Sequence, residues 1–148
     1  MNAGTLTIIV GLPGAGKSTE VKKIRPSITG LCIEDFHADA FEDSDAVEHS
    51  RHYWALIEAL LAGRDCVIAD IAFCDSKRRA TLEDTIRERI PGVDIEWKFF
   101  DNDYEKCEKN IRFRSRQTLE NDLENLKQFA SKYIIPAGVQ TIPIWQPP

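Results

Sequence analysis

Leu6-Thr7-Ile8-Ile9-Val10-Gly11-Leu12-Pro13-Gly14-Ala15-Gly16-Lys17-Ser18-Thr19 is the stretch that decides how this chain folds. Its first five residues are a short β-branched apolar run stopped by a glycine, the pattern of a buried strand. From Lys17 to about Arg25 the sequence predicts a helix, which Pro26 ends. Between strand and helix, residues 11–18 satisfy G-x-x-x-x-G-K-[ST] at every fixed position. Glycines let the backbone wrap an anion with its amides turned inward, which a Cβ would hinder. The N-terminal end of the following helix adds partial positive charge. Gly11, Pro13, Gly14, Ala15, Gly16, Lys17, Ser18 and Thr19 are therefore the candidate phosphate-binding residues. Lys17 is placed to reach the β- and γ-phosphates of a nucleotide, and the Ser18 hydroxyl to hold Mg²⁺.

Working outward, Gly30 to Ile33 reads as a second strand closed by Glu34-Asp35, and Cys66-Val67-Ile68-Ala69 as a third closed by Asp70. Between them, Asp45 and Glu48 have capping-box spacing, and Val47, Trp54, Ile57 and Leu61 recur at helical intervals up to Gly63. Asp75 caps a further helix in which Leu82, Ile86 and Ile90 repeat every four residues before Pro91-Gly92. Val93 to Phe100 reads as a fourth strand, and Asn102 with Glu105 as the cap of a helix carrying Tyr104, Cys107 and Ile111. Leu119, Leu123, Leu126, Ala130 and Tyr133 form a helical stripe that Pro136 ends. Thr141 to Trp145 is expected as a last short strand, which Pro143 confines to a sheet edge. Strands alternating with helices predict a layered α/β domain with a mainly parallel sheet. No repeat or linker divides the 148 residues, so residues 1–148 are expected to form one domain. Core is the expected setting for Trp54, Trp97 and Trp145.

Composition narrows the partners. Nineteen Lys and Arg against 24 Asp and Glu give a net charge of −5, the wrong sign for a protein built around a long phosphate backbone. The charge is uneven. Residues 34–48 hold seven acids and no Lys or Arg, whereas residues 104–117 hold five bases against two acids. A local basic cluster in an acidic chain suits a small phosphorylated ligand better than a nucleic acid. Four widely spaced cysteines without a C-x-x-C pair argue against a zinc site and read as reduced thiols. No apolar run spans a bilayer and no secretory leader precedes Val10, so a cytoplasmic protein without membrane contact is expected.

Three groups beyond the phosphate loop carry chemistry. Asp70 ends a strand, where ligands of open α/β sheets gather, so its carboxylate is a candidate support for Mg²⁺, the alternative being a turn cap. Glu34 and Asp35 end the neighbouring strand, where either carboxylate can accept the proton of an attacking hydroxyl. Arg112, Arg114 and Arg116 alternate; on one continuous helix Arg112 and Arg116 would share a face and Arg114 would not. Guanidinium groups there neutralise a transferring phosphoryl group, or else form a solvated basic face. His37, His49 and His52 read as surface residues, since no third ligand completes a metal site.

Four segments together — the phosphate loop Gly11–Thr19, IEDFH at 33–37, VIADIAFCDSKRR at 67–79 and FFDNDYEKCEKNIRFRSR at 99–116 — run over most of the chain. In them it resembles the small P-loop kinases that phosphorylate a hydroxyl, a group including gluconate-, shikimate- and adenylylsulfate-kinase-like enzymes, the zeta-toxin group and the polynucleotide 5′-hydroxyl kinase domain. The resemblance implies a P-loop NTPase three-layer α/β/α domain with a five-stranded parallel sheet of order 2-3-1-4-5. A small helical lid would occupy about residues 110–125. It also implies Asp35 as general base, with Glu34 the alternative in the doublet. Arg78 or Arg79, with His37, would lie near the substrate, and Arg112 and Arg116 would touch ATP phosphates. ATP with Mg²⁺ is the implied nucleotide, since no N-K-x-D guanine-reading segment is present. A kinase acting on a small-molecule hydroxyl is thus expected. The alternatives are a polynucleotide or nucleotide-type 5′-hydroxyl acceptor and a non-catalytic or toxin-like nucleotide-binding module.

Overall fold

The computed structural model describes residues 2–36, 52–114 and 116–147. Strand β1 (Leu6–Val10) is buried along its whole length and sits between β3 (Cys66–Ala69) and β4 (Ile95–Phe99), parallel to both. Its registers, Leu6 opposite Cys66 and Ile95, bring the C-terminal ends of these strands level. Strand β2 (Cys32–Ile33), shorter than its apolar run suggested, pairs parallel with β3. The order is β2-β3-β1-β4.

This is a P-loop NTPase α/β sheet, with one difference from the expected strand count. Where a fifth strand was expected over Thr141–Trp145, only a single parallel bridge forms, between Phe100 and Ile142. It lies on the β4 side, as the order 2-3-1-4-5 requires. Asp101 N–H donates to the Ile142 carbonyl and Ile142 N–H to that of Phe99, and Pro143, which has no N–H to offer a further strand, stands at the sheet edge.

Helix α1 (Lys17–Ile24) returns the chain from β1 to β2, and α2 (Tyr53–Leu61) from β2 to β3. These crossovers run in opposite directions, so right-handed connection places α1 on one sheet face and α2 on the other. Helix α3 (Ser76–Arg89) leads to β4, capped as expected: Asp75 accepts from Lys77 N–H at 2.9 Å. Helix α4 (Tyr104–Arg114) is capped by Asp103, which accepts from Lys106 N–H at 3.1 Å. The expected cap, Asn102, instead donates its amide to the Tyr133 and Ala130 carbonyls. Helix α5 (Leu119–Ala130) packs against α4.

The core comprises β1 and β3 with Leu56, Leu60, Leu82, Ile86, Cys107, Ile111 and Leu126 from the helices. Trp54 and Trp145 lie outside it, 55% and 40% exposed; α2 turns Tyr53, Leu56, Ile57 and Leu60 inward and leaves Trp54 and Leu61 on the far face, and Trp145 lies on the C-terminal segment. The capping pair Asp45 and Glu48, with Val47, His37 and His49, falls outside the described residues. Among the described residues no helix is long and apolar enough to cross a membrane.

Candidate functional site

Three connections leave the C-terminal ends of neighbouring strands: the loop from Gly11, the turn at Asp35 and the turn at Asp70. Above them lies a cavity of about 500 Å³. Pro13, Gly14, Gly16, Lys17, Ser18 and Thr19 line it together with Asp35, Arg114 and Arg116. Gly11 and Ala15 are buried and do not line it.

The loop geometry explains its composition. Gly14 and Gly16 hold φ of 83° and 111°, which side-chain-bearing residues seldom adopt. Space forbids a Cβ as well: on Gly14 it would meet the Cys107 carbonyl oxygen at 2.5 Å, and on Gly16 the Trp145 Cβ at 2.6 Å. Helix α4 and the C-terminal segment therefore press on the loop from outside. The Lys17 ammonium folds back along the loop, donating to the Gly11 and Leu12 carbonyls at 2.8 and 2.9 Å. Burial lowers its pKa, while nearby Cys74, Asp70, Cys107 and Asp35 act against that fall.

Asp35 is the single non-glycine residue with positive φ among the described residues, at 53°. Such strain concentrates at functional sites. Its pKa is raised, first by burial and then by the Asp70 charge, with Lys17 and Arg116 pulling the other way. Of the acidic doublet, Asp35 lines the cavity and Glu34 does not. Asp70 is 5% exposed, and one of its carboxylate oxygens accepts from Ala72 N–H at 2.7 Å, so it does cap the turn that follows β3. The same carboxylate acts electrostatically on both Lys17 and Asp35.

The remaining basic candidates separate. Arg114 and Arg116 line the cavity, and Arg114 pairs with Asp122 of α5 at 3.7 Å. Arg112 pairs with Glu108 at 3.5 Å on the exposed side of α4. Expecting Arg112 and Arg116 on one face assumed a helix running through both, but α4 ends at Arg114. Arg79 is also displaced from its expected place beside a substrate. It is buried, donates to the carbonyls of Phe73, Cys74 and Ile134 at 2.8, 3.1 and 2.8 Å, and lies over the Phe99 ring. It joins the turn after β3 to the chain beyond α5. Arg78, next to it, is half-buried and does not line the cavity, and His37 lies outside the described residues.

Sequence reasoning missed Lys22, Asn110, Phe113, Asp122, Asn125 and Trp145, all of which line the cavity. Asn110 and Phe113 fell inside a motif singled out beforehand, and Asp122 and Asn125 inside the expected lid, without a role being given to them. Lys22 follows the loop on α1, while Asp122, Asn125 and Trp145 reach the cavity through the packing of α5 and the C-terminal segment, which no local spacing announces.

The residues fit a magnesium-bound triphosphate. A cradle closed to any Cβ, a lysine at its lip and an exposed serine on the first turn of α1 would suit an anion and offer one oxygen to its metal. Mg²⁺ keeps several waters and needs only one or two protein oxygens beside the phosphates. Accordingly, no cluster of three or more His, Cys, Asp or Glu side chains arranged for a metal occurs among the described residues.

Comparison with known proteins bears on the family and the fold. A family model described as an AAA domain matches residues 6–135. No curated protein matches by sequence. Among solved structures, a gluconokinase from Sinorhizobium meliloti 1021 superposes with a TM-score of 0.62 at 18% identity, covering 98% of this chain and 85% of that one. A protein titled APE1195 gives 0.63 at 18%, covering 95% and 85%. A chain of the Pnkp1/Rnl/Hen1 RNA repair complex gives 0.54 at 20%, covering 95% of this chain and 50% of that one. At such identities these likenesses establish the fold.

Proposed function

We propose, from the premise that the chain belongs to the AAA domain family and has a P-loop kinase-like fold, that it transfers the γ-phosphate of ATP to a hydroxyl of a small molecule. The observation carrying this reading is that one cavity is lined at once by a phosphate cradle, a carboxylate and two arginines. That combination exceeds what nucleotide binding alone needs.

Phosphoryl transfer depends mainly on position and charge neutralisation, and each residue has a task within it. Loop amides between residues 11 and 18, other than Pro13, which has no N–H, and Ala15, whose N–H donates to Leu12, hold the triphosphate tail with the N-terminus of α1. Lys17 exchanges its two loop carbonyls for phosphate oxygens. Asp35 accepts the proton of the attacking hydroxyl as its oxygen bonds to phosphorus and the bond to the departing ADP breaks. Arg114 and Arg116 neutralise charge on the transferring group. Ser18 and Asp70 would hold Mg²⁺, which would supply further neutralisation of the phosphate oxygens.

The acceptor is proposed as a small neutral or weakly charged alcohol, because a net charge of −5 and an acid-rich stretch from Glu34 to Glu48 disfavour a polyanion. The test is ATP consumption over a panel of hydroxyl-bearing metabolites, with 5′-hydroxyl oligonucleotides as a separate arm and Lys17→Ala as blank. Consumption with a small alcohol, abolished in the blank, is the expected result. Transfer to oligonucleotides alone would overturn the acceptor class, and ATP binding with no acceptor at all would overturn the kinase reading.

A further inference from the structure

We propose that Asn110 is a positioning residue of the phosphate cradle, fastening the loop to helix α4 and to the C-terminal segment; the nucleotide part of this inference rests on the function proposed above. Asn110 is 5% exposed in α4. Its side-chain amide donates to two carbonyls remote in sequence, that of Gly14 at 2.9 Å and that of Trp145. The Trp145 N–H in turn donates to the Ala15 carbonyl at 2.9 Å. Two successive loop carbonyls are thus bound from outside, one by Asn110 itself and one by a residue that Asn110 holds.

The consequence follows from peptide geometry. In a trans peptide the C=O and N–H point in opposite directions, and no described peptide here is cis. Fixing the Ala15 carbonyl against Trp145 therefore turns the Gly16 N–H away from the C-terminal segment. Fixing the Gly14 carbonyl against Asn110 turns the Ala15 N–H toward the Leu12 carbonyl, to which it donates at 3.0 Å. Glycines at 14 and 16 give the loop the freedom to adopt this shape and equal freedom to leave it by peptide rotation. A loop that must meet an anion with preset donors needs such restraint from outside, and Asn110 is the side chain that supplies it at both neighbours. Its neighbours on the same helix face, Cys107 and Ile111, bring α4 close enough to do so.

The test uses Asn110→Ala and Asn110→Asp in the whole chain, with two readouts. One is the Kd for a non-hydrolysable ATP analogue with Mg²⁺, and the other is amide hydrogen exchange, without ligand, at Ala15 and Trp145 against Ile8 and Ile68 in the sheet. We expect both variants to bind the analogue at least tenfold more weakly. Exchange at Ala15 and Trp145, whose N–H groups donate to the Leu12 and Ala15 carbonyls, should quicken at least tenfold while Ile8 and Ile68 stay protected. Aspartate fills the same volume but, ionised, cannot donate, so exchange in the unliganded variant separates donation from mere packing. Wild-type-like exchange in Asn110→Asp would overturn the proposal. If burying a carboxylate there prevents folding, Asn110→Ala decides, and exchange within twofold of wild type at Ala15 and Trp145 overturns it. Should the wild-type chain itself fail to bind the analogue, the nucleotide reading falls, while exchange in the unliganded protein still decides whether Asn110 restrains the loop.

Discussion

Asp35 concentrates the conflict between stability and chemistry in one residue. It holds a left-handed φ of 53° and a carboxyl whose pKa is raised by burial and by Asp70. An acid raised in the folded state destabilises that state above its unfolded pKa, the penalty growing as pH rises through the folded value. Asn tolerates left-handed backbone and carries no charge. Asp35→Asn is therefore expected to raise Tm at pH 7 by about 1–2 °C, a small gain because the site is partly solvated. The gain should vanish near pH 3, where the wild-type carboxyl is neutral, and a differential thermal scan at both pH values checks this. The same substitution removes the proposed base, so turnover should fall at least about 100-fold while analogue binding persists. In the wild type, the acid limb of kcat/KM should lie above the ordinary carboxylate value of 3.8, because the base works only when ionised. A limb at or below 3.8, or full turnover in Asp35→Asn, would remove Asp35 from that role.

At the scale of elements, helix α4 sorts three arginines that the sequence presented as equivalent. Since α4 ends at Arg114, Arg114 and Arg116 meet the cavity and Arg112 meets Glu108. Arg114→Ala should lower kcat/KM at least about 100-fold, in keeping with arginines that neutralise a transferring phosphoryl group. Arg112→Ala, losing an exposed pair, should stay within about threefold. Equal losses in the two variants would show that the helix end does not decide their roles. Arg79 is an architectural arginine: Arg79→Ala strands the buried carbonyls of Phe73 and Cys74 and that of Ile134, and should cost about 2–4 kcal/mol. The readout is a Tm lower by roughly 5–12 °C, with Kd for the analogue unchanged in the protein that remains folded. These contrasts also show where sequence reading stops. Apolar runs and caps located β1, β3, α1 and α3 almost to the residue, because each is governed by local periodicity, while α5 stops at Ala130, short of the Tyr133 that its stripe reached. The displacement of Arg112 and Arg79 depends on where a helix ends and which carbonyls lie across the core, and residue spacing carries neither. Thr141–Trp145 showed a strand's composition, yet it forms the one bridge at Ile142 before Trp145 N–H turns to the Ala15 carbonyl.

For the molecule as a whole, the sheet order gathers the ends of β1, β2 and β3 at one edge, and the C-terminal segment returns to that edge through Ile142 and Trp145. The phosphate cradle was legible from Gly11 to Ser18 alone. The cavity wall was not, since Phe113, Asn125 and Trp145 converge from three separate segments. Nucleotide binding should consequently stabilise the entire fold by linkage. At a ligand concentration of 100 Kd the gain is about 2.7 kcal/mol, or roughly 5–11 °C in Tm for a chain of this size. The central claim, that the loop grips a triphosphate, is tested most directly by calorimetric titration with a non-hydrolysable ATP analogue and Mg²⁺, comparing wild type with Lys17→Ala. Saturable one-to-one binding in the wild type, weakened at least about 100-fold in the variant, is the predicted result. No heat of binding at millimolar analogue, or equal affinity in both proteins, would contradict it.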